Sequence, residues 1–182
     1  QRIRQAAQFA MVEKGELAVA KLNEILGDKE FSLLAKLHSI WGLGQLARNG
    51  YSESVTPLIL NMLENKEIEI RANAARVAGS SNLLKLGSSL LELLKDPSPR
   101  VASLAALSLG RIGSKSDPLL VSTILRSVEQ NKGADFDPVL RHSFISALDR
   151  IASPEQLIAL AGSKSEEQRL TAVILLRRTA NA

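Results

Sequence analysis

The sequence predicts an all-α protein, a right-handed solenoid of about five stacked helix pairs, and three observations carry that prediction. Helical periodicity runs through nearly the whole 182-residue chain, and no segment alternates apolar and polar residues as a half-buried strand would. A unit of about thirty-odd residues recurs at least five times, the signature of an array whose units bury apolar faces only against their neighbours. Apolar residues make up 45% of the chain but aromatics only 3%, so Ala, Leu and Ile must fill the core, which suits closely stacked helices.

Taken in order, a first helix is predicted over about 2–13, stopping at Lys14-Gly15. A pair follows at about 16–26 and 31–48, closed by Asn49-Gly50, then a second at about 52–64 and 67–79. Ser52 is placed to cap the helix that contains Pro57 near its first turn. The third pair covers about 82–94 and 98–112, with Asp96-Pro97 as the turn that starts its second helix. The fourth covers about 117–130 and 138–152, around the longest connector, Asn131 to Asp137, and the fifth about 154–162 and 165–179. Asp117-Pro118, Asp137-Pro138 and Ser153-Pro154 each set a capping side chain before a proline suited to the first helical position. Residues 1–182 therefore read as a single array. It opens at Ile3-Arg4 in mid-repeat, as the second helix of a pair, and so reads as a section of a longer protein.

Composition narrows the function classes. Net charge is +4 and evenly divided: residues 1–91 hold 11 basic and 9 acidic groups, residues 92–182 hold 12 and 10. A large nucleic-acid footprint is not advertised by that balance. Cysteine is absent, which removes disulfides and thiolate chemistry, and no apolar run approaches the roughly 20 residues that span a bilayer.

The clearest repeat runs from Asp96 to Gly113: Asp-Pro-x-x-x-Val101, then Ala105-Ala106, then Leu109-Gly110-x-Ile112-Gly113. This pattern resembles the short bacterial variety of HEAT repeats, along the whole chain. The resemblance implies a scaffold or binding surface and says little about activity. A narrower resemblance attaches to Leu37-His38-Ser39-Ile40-Trp41-Gly42-Leu43-Gly44-Gln45-Leu46-Ala47-Arg48. It is similar to a string in large exported planctomycete and verrucomicrobial proteins that join a dehydrogenase-like β-propeller, a HEAT stretch and a cytochrome c module. That likeness implies a middle section of such a protein, outside the cytoplasm. It transfers no catalytic role, because neither the propeller's residues nor Cys-x-x-Cys-His occurs here.

Each candidate site has a structural reading beside the functional one. Gly42 to Ala47 matches the dinucleotide-binding string G-x-G-x-x-A, but it lies inside a predicted helix whose amides are already bonded, so close helix packing explains it. His38 and His142 lie in different repeats without a supply of further ligands and read as solvent-edge or hydrogen-bonded residues. Arg4, Lys36, Arg71, Arg141 and Arg169 recur at one register and suggest a structural ladder with carboxylates of adjacent turns. Arg111, Arg150 and Arg178 share another register at helix C-termini, where the macrodipole favours cations and where a partner-binding stripe is the alternative. Trp41, the single tryptophan, falls beside Arg76, Leu107 and Ile174 in the repeat frame and is either an interface anchor or a core filler.

These residues lead to the expectation of a non-catalytic scaffold without bound metal, haem or nucleotide. Its candidate partner surface comprises Trp41, Arg76, Arg111, Arg150 and Arg178, and its partner is a protein or a neighbouring domain. A nucleic-acid module resembling the HEAT-type alkylpurine DNA glycosylases is the alternative, for which aromatics and cations look too few. Both ends are expected to expose apolar residues, Ile3, Phe9, Met11 and Val12 at one and Leu170 and Val173 to Leu176 at the other, inviting self-association.

Overall fold

The computed structural model describes residues 2–131 and 137–179, and all its regular structure is helical; no strand occurs among the described residues. Most of the connector predicted between Asn131 and Asp137 lies outside the described residues. The chain forms two compact units, residues 1–90 and residues 91–182, with the boundary inside a short helix.

The first unit contains α1 (Arg2–Val12), α2 (Glu16–Gly27), α3 (Leu33–Leu46), α4 (Ser52–Leu63) and α5 (Ile68–Ser80). Helices α1, α3 and α5 pack side by side, with α2 and α4 behind them. Its core is aliphatic: Leu22, Ile40, Leu43, Leu46, Ile59 and Leu63 are almost completely enclosed. Two local expectations are corrected. The chain does not stop at Asn49-Gly50 but turns through a wide helical turn, Ala47–Tyr51, in which Gly50 takes φ of 103°, a value that glycine tolerates best. Ser52 is consequently already helical and caps nothing; its carbonyl accepts the Thr56 hydroxyl at 2.7 Å.

The helix expected over 82–94 is broken into α6 (Gly87–Glu92) between two tight turns, Leu84–Leu86 and Leu93–Lys95. Gly87 and a run of serines weaken its interior, yet Leu86, Leu90 and Leu94 remain buried.

The second unit contains α7 (Pro99–Ile112), α8 (Pro118–Gln130), α9 (Pro138–Ile151), α10 (Pro154–Ala161) and α11 (Glu166–Thr179). Three of its helix starts are those expected: Asp117 and Asp137 each accept two backbone N–H groups, and Ser153 forms a reciprocal capping box with Gln156. Asp96-Pro97 is the turn before α7, as expected, and not its cap. Asp96 accepts the Ser98 N–H at 2.8 Å to close the turn, and Ser98-Pro99 supplies the cap position and first helical residue. On the repeat face, Val101, Ala105, Leu109, Leu140, Ala147 and Ile151 are buried, as are Ile70, Ala74 and Val77 in the first unit; Ile112 is only half-buried.

At the ends, Ile3 and Phe9 are exposed and Met11 and Val12 half-buried. In α11, Leu170 and Val173 are exposed and Ile174 and Leu176 half-buried, but Leu175 is fully enclosed against its own unit.

Candidate interaction surface

Counting from the first residue of α3 and α5, Trp41 and Arg76 occupy the same ninth position, and His38 and Asn73 the same sixth. Side-by-side packing of α1, α3 and α5 turns this shared register into one polar chain across the first unit. The Trp41 indole N–H donates to Asn73 Oδ1 at 2.9 Å, and the Arg76 guanidinium donates to the same oxygen at 2.8 Å. Asn73 in turn donates through Nδ2 to the Glu69 carbonyl at 2.7 Å, so its amide orientation is fixed on both sides. The guanidinium carbon of Arg76 stands 5.6 Å from the indole centroid, within cation–π range.

His38 meets Trp41 edge-on, with ring centroids 4.8 Å apart at 70°. With the ring in the Nδ1–H tautomer, His38 donates to Gln8 Oε1 at 2.8 Å, and Gln8 Nε2 donates to Gln45 Oε1 at 3.2 Å. Loss of hydration holds the His38 pKa below the ordinary histidine value, and the Arg4 cation lowers it further.

Above this chain lies an open depression of about 360 Å³ lined by Arg4, Gln5, Gln8, Phe9, Leu34, His38, Trp41 and Gln45. A narrower slot of about 180 Å³, with Met11, Leu22 and Ile25 in its wall, reaches the other side of His38. Trp41 is thus half-buried, its polar edge tied down and part of its ring open to the depression.

The other predicted site residues lie in the second unit. Arg111, Arg150 and Arg178 are exposed in the last turns of α7, α9 and α11. Arg178 Nη1 reaches Asp149 Oδ2 at 3.5 Å, an exposed pair of small energetic weight. His142 lies 3.3 Å from the Ser146 hydroxyl through Nε2, so both histidines have hydrogen-bonding partners. Gly42, Gly44 and Ala47 stand within helical backbone, and the Ala47 N–H is bonded to Leu43 and Gly44 carbonyls.

Of the arginines at the fourth helical position, Arg141 meets a carboxylate as expected, while Arg71 and Arg169 hold backbone carbonyls. Arg71 donates to the carbonyls of Asn65 and Lys66, and Arg169 to those of Ser163 and Lys164, the same two places in each repeat. Each guanidinium therefore clasps the turn that precedes its own helix, while Arg141 holds Glu167 of the next repeat at 3.1 Å through both carboxylate oxygens.

The repeat register grouped Trp41 with Arg76, Leu107 and Ile174 alike and did not bring in Gln8, Gln45 or Asn73. Asn73 carried a readable signal: a polar residue at a buried position within Ala72-Asn73-Ala74-Ala75 needs a partner. Gln8 and Gln45 carried none.

Comparison with known proteins agrees with this architecture. Residues 56–131 match the family model described as HEAT repeats. Over 75 residues, or 41% of the chain, the sequence is 37% identical to a bilin biosynthesis protein, MpeU, of Synechococcus sp. (strain WH8020). The matched segment spans 25% of that relative's length. HEAT repeats generally serve as scaffold or interaction modules.

Proposed function

We propose that this chain is a non-catalytic interaction module that docks a protein partner through the α1–α3–α5 face of its first unit. One observation carries the reading: Trp41 is held by three neighbours with part of its ring left open beside Arg4 and Arg76. Trp and Arg are among the residues that dominate binding hot spots. The similarity to a bilin biosynthesis protein supplies only a shared helical repeat to this reading, because it covers a quarter of that protein. From the likeness of Leu37 to Arg48, the proposal extends to a module that joins domains of an exported dehydrogenase–cytochrome chain. The parent reading frame tests that extension directly, by carrying or lacking a propeller and Cys-x-x-Cys-His.

Docking is tested by placing a photo-crosslinking residue at Gln45, on the rim of the depression, with Lys21 of α2 as the control position. Protein adducts at Gln45 that disappear on Trp41→Ala, with no adduct at Lys21, are expected. Equal labelling at the two positions, or none at Gln45, would remove the proposal.

A further inference from the structure

We infer that the depression over Trp41 takes an acidic peptide segment, an assignment that rests on the interaction reading and names its partner class. The first reason is charge. The lining includes the Arg4 cation and no carboxylate, and the Arg76 guanidinium stands at the adjoining indole. A guanidinium matches a carboxylate with paired donors, and partial desolvation in a concave site strengthens that match.

The second reason is the amide content. Gln5 and Gln45 set side-chain amides on the rim, the kind of group that meets a peptide backbone, and buried Gln8, bonded to His38 and Gln45, holds that rim in place, while Phe9 and Leu34 offer apolar contact to the segment's side chains. Size is the third. A volume of about 360 Å³ accommodates a few residues of an extended segment. A nucleic acid would be expected to need a longer row of cations and several stacking rings, whereas the chain holds one Trp and one Tyr.

The single tryptophan makes the test local, because all indole emission comes from the proposed site. The probe is a short labelled peptide of alternating Glu and Pro, with Lys/Pro and Ser/Pro counterparts, titrated against the full chain by polarisation and by Trp41 emission. The Glu/Pro peptide is expected to bind with a concurrent change in emission, more weakly as salt rises, and its counterparts not to bind. Arg4→Gln and Arg76→Gln, checked for unchanged helical circular dichroism, should each weaken it by roughly tenfold. Preference for the Lys/Pro or Ser/Pro peptide, no binding of the Glu/Pro peptide, or binding without a change in emission overturns the assignment. Partner-dependent adducts at Gln45 would then still support docking, so the two readings fail separately.

Discussion

Trp41 in the first unit and Phe144 in the second show how one repeat architecture can use an aromatic residue in two ways. Phe144 lies on α9, completely enclosed and among the largest fully buried side chains. Trp41 lies on α3, half-buried, hydrogen-bonded to Asn73 and flanked by His38 and Arg76. The adjoining helix contacts differ in the same sense. Gly44 and Gly110 hold the same twelfth helical position, and each meets the tenth position of the next second helix. Against Gly110 that residue is Ala147, so the backbones themselves come close: an added Cβ would stand 2.8 Å from the Ala147 Cα. Against Gly44 it is Val77, whose Cγ1 would meet an added Cβ at 2.8 Å, and Ser81 donates its hydroxyl to the Gly44 carbonyl at 2.9 Å. The Gly110 contact packs backbone on backbone; the Gly44 contact is filled with side chains and a hydrogen bond. The first unit sets a cation and an indole beside its open volume of about 360 Å³, whereas the open volume of about 340 Å³ in the second unit, along α8 and α10, has neither in its lining.

The largest effect should come from the two aromatics. Phe144→Ala is expected to destabilise the second unit by about 3–5 kcal/mol through loss of burial and cavity formation. Trp41→Ala should cost less than half of that while abolishing adducts at Gln45, and denaturant titration of both variants measures the difference. Equal losses would show that Trp41 is a packing residue like Phe144.

The glycine contacts come next. Gly110→Ala is expected to cost about 1–3 kcal/mol, since the obstruction is backbone and cannot swing aside. Gly44→Ala should cost less, and Val77→Ala in the same chain should recover part of the loss, because the obstruction there is a side chain. A double-mutant cycle with no coupling between Gly44 and Val77 would erase the distinction drawn between the two contacts.

Ser81→Ala tests the hydrogen-bonded side of the comparison. It removes the donor to the Gly44 carbonyl and the acceptor of Arg48 Nη1, at 3.0 Å, and should cost about 1 kcal/mol. Ser108→Ala, a buried serine of α7, provides a counterpart in the second unit.

The smallest effect concerns pH. His38 has a lowered pKa in the folded chain, so the unfolded chain binds the proton more readily and stability falls as pH drops below the ordinary value of 6.5. His38→Gln should flatten that fall, seen as a smaller decrease in the melting temperature between neutral and mildly acid pH. An identical pH dependence in the two proteins would mean that the ring is not desolvated.

Much of the fold was legible because it depends on local chemistry. Asp117-Pro118, Asp137-Pro138 and Ser153-Pro154 announced three helix starts, since a capping oxygen and a proline suited to the first turn act within a few residues. The buried positions Val101, Ala105, Leu140 and Ala147 followed from periodicity, because one helical face must meet a neighbour. Register also gave Trp41 and Arg76 one repeat position, shared with Leu107 and Ile174. What the sequence by itself determined, then, was a stack of helix pairs and the residues that line its seams.

Tertiary structure decided what those seams became. Whether Asp96-Pro97 capped a helix or closed a turn depended on where Pro99 could begin the next one. That Arg71 and Arg169 clasp carbonyls depended on how each connector folded back beneath its helix. The chain of Gln8, His38, Trp41, Asn73 and Arg76 required three helices to be brought together, with partners 30 or more residues apart in sequence. Periodicity assigns a residue to a face, but only packing decides which polar groups meet there and how much of an indole is left open.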